Sequence, residues 1–218
     1  MEDNIIQFQK NKMAHINHGI RKILNLTFVY RLYQLLVKKN WSDKYYVDHY
    51  VKPFQNCSIL DIGCGNGHFL KYYPNSTTYY GFDMNPNYIK DAEDTFKNKG
   101  IFICGSASDF NFPKDLKFDI VTANAIFHHL TDEELEKIFK NAANVLKEGG
   151  CLVSLDPVYI PNQNFISKYM ISKDRGQNIR NKEDFEVISS KYFSRMESSY
   201  EDNFYIFPFD LIINKFYL

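Results

Sequence analysis

The sequence predicts an α/β protein built on a doubly wound, mostly parallel sheet. Three observations carry that expectation. From residue 58 onward, short continuous apolar runs alternate with segments of helical period; a glycine-rich loop follows the first run directly; and no helical segment separates the last two runs. Continuous rather than alternating apolarity is what strands covered on both faces require. Strand–helix alternation implies right-handed crossovers, and a helix-free ending implies that the last two strands are antiparallel.

The elements follow in order. The first forty residues read as helical, with Ile20, Ile23, Leu24, Phe28, Leu32, Leu35 and Leu36 on one stripe that needs a partner surface. Residues 41–56 lead through Pro53 into SILDIG, and strands are expected at 58–62, 77–83, 101–104, 118–123 and 151–155. One helix should begin at Asn85, with Pro86 in its first turn, and bury Ile89, Ala92 and Phe96. A second should begin at Thr131, with Glu134 completing a capping box, present Leu135, Ile138, Phe139, Ala142, Val145 and Leu146, and stop at Gly149 and Gly150. A helix over 182–193 precedes strand-like stretches near 195–203 and 209–218. The division expected is an amino-terminal helical extension, 1–56, and an α/β domain, 57–218.

At 218 residues, 44% of them hydrophobic, the chain can bury one sizeable core. Its 26 basic residues balance 26 acidic ones, which argues against a grossly basic, nucleic-acid-gripping surface. No apolar run approaches the roughly 18 to 20 residues of a membrane span, and MEDNIIQFQK is acidic where a signal peptide is basic. The expectation is a cytoplasmic protein without membrane insertion. Cys57, Cys64, Cys104 and Cys151 stand singly, with no CxxC pair, so reduced thiols and no metal centre are expected. Cys104 and Cys151 read as core fillers, whereas Cys64, inside the glycine loop, is the one placed to approach a ligand.

The stretch ILDIGCGNGHFL is a strand, a tight loop with Gly63, Gly65 and Gly67, and a short helix ended by Pro74. Glycines there let the backbone turn sharply and approach a ligand with no Cβ in the way. A dinucleotide fingerprint would place glycine at 68, where the chain has His68. Asp61, closing the first strand, would repel a pyrophosphate but accept from an ammonium group. Asp83 ends the next strand, 20 residues after Gly63, the spacing of one βαβ unit with a ribose-binding carboxylate. Together these residues describe a site for a nucleoside carrying an amino-acid tail.

With these motifs in this order the chain resembles the class I S-adenosylmethionine-dependent methyltransferases over residues 57–218. The resemblance implies a seven-stranded sheet of order 3-2-1-4-5-7-6 with strand 7 antiparallel, and S-adenosylmethionine as cofactor, leaving as S-adenosylhomocysteine. It places Asp61 and the loop Gly63, Cys64, Gly65 and Gly67 at the methionine moiety, Asp83 at the ribose and Met84 on one face of the adenine. Ser106 stands where the family often has an acid, so the adenine amino group falls to the backbone around Ala107; Asn124 comes near the methionine part. The stretches HGIRKILNLTFVYRLYQLL and DRGQNIR are similar to a bacterial small-molecule subgroup. Asp61 and Asp83 each also admit a purely structural reading as caps.

Methyl transfer is an in-line displacement at a sulfonium, and a hydroxyl or amine acceptor also has to lose a proton. Candidate bases lie in AIFHHL, where His128 and His129 sit between strand and capped helix; His129 is preferred. Either could instead pack and hydrogen-bond to the loop. Asp156 could be a second base, could orient a histidine, or could simply end the strand at an Asp-Pro turn. Tyr159 follows at the same edge. Lys173, Arg175 and Arg180 either recognise an anionic group on the acceptor, Arg175 foremost, or pair with Asp174, Glu183 and Asp184 as a solvated surface, the reading favoured here. Tyr30, in the extension, either closes over the site as a lid residue or packs.

The leading function is transfer of a methyl group to an oxygen or nitrogen of a small molecule. An activated sugar or other anionic metabolite is suggested by the subgroup resemblance and the cationic segment. Zero net charge, and NAIF where base-flipping enzymes carry an N/D-P-P-Y/F motif, argue against nucleic acid. A catalytically silent S-adenosylmethionine-binding subunit is the alternative; a nicotinamide dehydrogenase is disfavoured by Asp61 and His68. Oligomeric state is not legible.

Overall fold

The computed structural model describes residues 38–106, 115–174 and 176–218. Seven strands form one sheet: β1 Ser58–Ile62, β2 Thr78–Asp83, β3 Ile101–Cys104, β4 Phe118–Asn124, β5 Leu146–Pro157, β6 Arg195–Glu201 and β7 Leu211–Tyr217. Their order is β3-β2-β1-β4-β5-β7-β6, with β7 antiparallel to both its neighbours and the other pairings parallel. Order and reversal are those expected. The strand order changes direction at β1, so the crevice for a ligand opens at the carboxyl ends of β1 and β4.

Successive strand residues enter opposite layers. Ile59 joins Tyr79, Phe102, Ile120 and Val153 on one face, while Leu60 joins Phe82, Val121, Phe139 and Phe216 on the other. Both faces are covered, which is why the strands read as continuous apolar runs. The helices are α1 Ser42–Tyr46, prolonged by a π-helical turn Val47–Val51, then α2 Pro86–Phe96, α3 Asp132–Val145, α4 Phe165–Ser172 and α5 Lys182–Ser189. The α1 unit, which carries no clear sequence signal, buries Tyr46, Val47 and Val51 against the first of these layers. The stripe from Ile20 to Leu36 lies outside the described residues.

Two helix starts agree with the sequence. Asn85 caps α2 by accepting the Asn87 N–H, and Thr131 and Glu134 form the capping box of α3. The end of α3 differs: it stops at Val145, not at Gly149, because Leu146 already pairs with Phe118 as the lead-in to β5. Gly149 then lies at φ +75° within that lead-in. The later helix α5 likewise ends at Ser189 rather than near residue 193. Helix α4 was not expected, since its polarity is inverted: Phe165 and Tyr169 are 79% and 60% exposed, whereas Ser167 is buried and donates to the Asp210 carboxylate.

A candidate cofactor and acceptor site at the strand ends

The loop after β1 runs through three left-handed glycines, Gly63 (φ +71°), Gly65 (+55°) and Gly67 (+73°). A Cβ at Gly63 would meet Ile126 Cδ1 at 2.9 Å and one at Gly67 would meet Phe102 Cε1 at 2.8 Å, but one at Gly65 would meet nothing within 4 Å. The peptide at Gly65 is therefore the face that the loop leaves open. Cys64 sits differently from the sequence expectation. Its side chain is buried and packs where a Cβ on Gly81 would touch its sulfur at 2.8 Å, so only its backbone belongs to the loop.

Asp83, the last residue of β2, ties the loop to its strand. Its Oδ2 accepts the Gly65 N–H at 2.9 Å and its Oδ1 the Asn85 N–H at 2.8 Å. Burial raises its pKa, and the two N–H donors hold that rise back. Each carboxylate oxygen keeps a further lone pair for a ligand hydroxyl. Met84, next along, is 58% exposed, and Ser106 follows β3, whose end is joined to β2 by the Gly105 N–H to Asp83 carbonyl bond at 3.0 Å. Ala107 lies outside the described residues.

Asp61 is placed inside the sheet. Its carboxylate, 1% exposed, accepts from the Tyr79 hydroxyl and from Thr122 Oγ1, each at 2.8 Å, and so cross-links β1 to β2 and β4. Burial outweighs those two donors and, with the nearby Asp83 charge, raises its pKa to about 6. At the end of β4, Asn124 accepts the Tyr46 hydroxyl on Oδ1 at 2.6 Å. Its Nδ2 is buried and has no hydrogen-bond partner. The following residue, Ala125, is exposed and left-handed at φ +55°, a conformation that costs a residue with a Cβ about 1 kcal/mol.

The chain then makes the corner Phe127–His129 ahead of α3. His128 is 4% exposed, with Nδ1 at 2.8 Å from Asp156 Oδ1 and Nε2 at 3.2 Å from Asp174 Oδ1. Burial by itself lowers the pKa of this imidazole, but the two carboxylates outweigh it and raise it to about 9. The same contacts, with the Gly176 N–H, bring Asp174 down to about 2 against the effect of burial. Both ring nitrogens of His128 thus face carboxylates, and Asp156 Oδ1 also accepts the His128 backbone N–H at 3.2 Å. His129 is exposed beside them, its ring 4.0 Å from that of His128.

Asp174 and residues 176–180 pack against this corner. A Cβ at Gly176 would lie 2.1 Å from His128 Cδ2, and the Asn178 N–H donates to the His128 carbonyl at 3.1 Å. Arg180 is 5% exposed rather than solvated. Its Nη1 donates to the Phe127 carbonyl and its Nη2 to the Leu130 carbonyl, each at 2.8 Å, while Nε and Nη2 reach Asp132 Oδ1. The favoured reading of the cationic segment as a solvated surface is thus corrected at Arg180, whose donors clamp the corner. Lys173 lies over the Tyr169 ring, and Tyr159 is 41% exposed just past β5. Tyr30 and Arg175 lie outside the described residues.

The comparisons with known proteins agree with this geometry. A family model described as a methyltransferase domain matches residues 59–150. An uncharacterized methyltransferase of Bacillus cytotoxicus is 25% identical over 157 residues, 70% of each chain, and the human thiol S-methyltransferase TMT1A is 24% identical over 51% of this chain and 47% of its own. Among solved structures, a TehB-like S-adenosylmethionine-dependent methyltransferase of Corynebacterium glutamicum superposes with TM-score 0.63 at 16% identity, over 90% of this chain and 98% of that one. Residues 59–150 carry a methyltransferase domain, on the fold of the S-adenosylmethionine-dependent methyltransferases.

This methyltransferase also shares its fold with phosphoethanolamine N-methyltransferase 2 of Haemonchus contortus in complex with S-adenosyl-L-methionine, at TM-score 0.67 and 20% identity, over 85% of this chain and 47% of that one. Its own crevice suits that cofactor. The open peptide at Gly65, the spare lone pairs of Asp83 and the partnerless amide of Asn124 line one strand edge, as a nucleoside with an amino-acid tail requires. Two residues at this edge escaped the site prediction from sequence. Asp174 meets His128 across 46 positions, which no local spacing encodes. Ala125 is visible only through its φ. Among the described residues, no helix is long and apolar enough to cross a membrane.

Proposed function

We propose that the methyltransferase passes its methyl group to an oxygen or nitrogen of a small anionic molecule, an activated sugar being the favoured type, that meets the cofactor at the corner 125–130. The observation that supports a bound cofactor at this crevice is the buried, partnerless Nδ2 of Asn124 at the end of β4, beside the strained Ala125. A buried donor without a partner costs roughly 1–3 kcal/mol, and a ligand acceptor there removes that cost. In this reading Asp83 holds the ribose, Gly63, Gly65 and Gly67 the methionine part with Asn124, Met84 one adenine face, and Ser106 the adenine edge. Asp61 and Cys64 act at one remove, by fixing the strands beneath the loop.

When bound, the cofactor supplies a methyl group on a sulfonium, open to in-line displacement. The protein's share is to hold the acceptor atom in line, exclude water and deal with the acceptor's proton. His129 is the exposed imidazole of the corner and is the residue through which the chain acts on that proton. Asp156, His128, Asp174 and Arg180 position it by holding the corner rigid. Tyr159, 41% exposed just past β5, borders the acceptor. The formal charge of zero supports a small acceptor over a nucleic acid.

Calorimetry with S-adenosylmethionine, S-adenosylhomocysteine and NAD tests the pocket, followed by S-adenosylhomocysteine release with nucleotide-linked sugars and small acids. Turnover with one of those acceptors is the expected result. Cofactor binding with no turnover on any of them would make the silent-subunit reading the better one.

A further inference from the structure

The corner holds more ligating power than a positioning clamp requires. His128, His129 and Asp174 each offer one ligand atom, and the three atoms lie within 4.8 Å of one another. His128 Nε2 and Asp174 Oδ1 are 3.2 Å apart. Two ligands bound at about 2.1 Å on tetrahedral directions stand roughly 3.4 Å apart, so this pair is already spaced for a shared ion. The other side of His128 has the support that metal-bound imidazoles carry: Nδ1 faces the buried Asp156 carboxylate at 2.8 Å, which fixes the ring and directs Nε2 toward Asp174. Asp174 is oriented too, its Oδ1 accepting the Gly176 N–H at 2.8 Å.

The donor set narrows the choice of ion. Two imidazoles and one carboxylate suit zinc or manganese better than magnesium or calcium, which prefer all-oxygen sites.

We propose that His128 Nε2, His129 and Asp174 bind a divalent cation of the zinc or manganese class, with Asp156 as the outer partner that orients His128. Three protein ligands leave coordination positions for water or for an oxygen of the acceptor. That last assignment rests on the proposed function, in which His129 would then act on the acceptor's proton through the cation; the metal site itself does not rest on it.

The test uses the metal-stripped full chain without cofactor or acceptor. Zn2+ and Mn2+ are titrated by calorimetry, and Co2+ by the visible bands that nitrogen ligation produces. The expected result is saturable 1:1 binding that Asp156→Asn weakens by about 10- to 100-fold, as outer-shell changes do, and that His129→Ala and Asp174→Asn weaken further. His49→Ala, on the exposed side of the π-helical turn, should leave it unchanged. His129 is exposed, so its variant keeps the fold and decides the matter even where Asp174→Asn melts early. No saturable binding, or binding indifferent to His129→Ala, overturns the site. Binding with no methylation of any acceptor would overturn the function and leave the site standing.

Discussion

The Asp83 carboxylate at the tip of β2 accepts the backbone N–H of Gly65, 18 positions earlier, at 2.9 Å. One side chain thereby sets the shape of the glycine loop while keeping lone pairs for a ribose. Asp83→Ala should weaken S-adenosylmethionine binding by about 1–3 kcal/mol, the range for hydrogen bonds to a charged group. Unchanged calorimetric affinity would remove Asp83 from the pocket.

The three loop glycines should separate on substitution. Gly65→Ala meets no protein atom, so it carries mainly the left-handed strain of about 1 kcal/mol, yet its methyl would project from the peptide the cofactor must approach. Affinity should fall steeply with a small change in Tm. Gly67→Ala adds a contact of 2.8 Å with the Phe102 ring and should lower Tm more. Equal Tm losses for both variants would contradict the open face at Gly65.

The His128–Asp156 pair, exposed by 4% and 1%, predicts a large coupling. His128→Ala leaves a buried carboxylate without its counter-charge and should cost about 3–5 kcal/mol. Adding Asp156→Asn should recover part of that loss. A double-mutant cycle by urea denaturation that returns additive costs would show the pair to be uncoupled.

Asp61 gives the stability a defined pH dependence. Its folded pKa of about 6 lies above the ordinary carboxylate value of 3.8, so the folded state binds the proton more tightly than the unfolded chain. The contribution of Asp61 therefore favours folding below about pH 4 and is lost as pH rises through 6. The shift corresponds to about 3 kcal/mol. Asp61→Asn removes this dependence, so the difference between variant and wild type should grow in favour of the variant from pH 4 to pH 7. A difference that stays flat across that window would place the Asp61 carboxyl elsewhere.

Arg180 holds the carbonyls of Phe127 and Leu130 together with Asp132. Lysine cannot reproduce that fork. Arg180→Lys should therefore lower kcat through the corner while leaving S-adenosylmethionine affinity near the wild-type value. Equal losses in both would place Arg180 at the cofactor.

What the sequence by itself determined was everything that depends on neighbours along the chain. The runs at 58–62 and 118–123 are apolar because both sheet faces are covered, Thr131 and Glu134 cap a helix three residues apart, and glycine at 63, 65 and 67 marks a loop that must turn left-handed. Those local signals, with Asp83 one βαβ unit on, gave a doubly wound sheet and a site for a nucleoside with an amino-acid tail; the family resemblance they carry implied the strand order and the cofactor. The tertiary structure decided which groups at that crevice remain available. Asp61 and Cys64 read by position as cofactor contacts and His128 and Asp156 as candidate bases, yet long-range packing turned Asp61 toward Tyr79 and Thr122, pressed Cys64 onto Gly81 and locked His128 between Asp156 and Asp174. Helix α4, with serine inside and phenylalanine outside, was illegible because Asp210, 43 positions from Ser167, supplies the buried hydrogen bond that inverts its pattern. Burial and pairing across such separations set the charge, orientation and accessibility of a side chain, and no period along the chain records them.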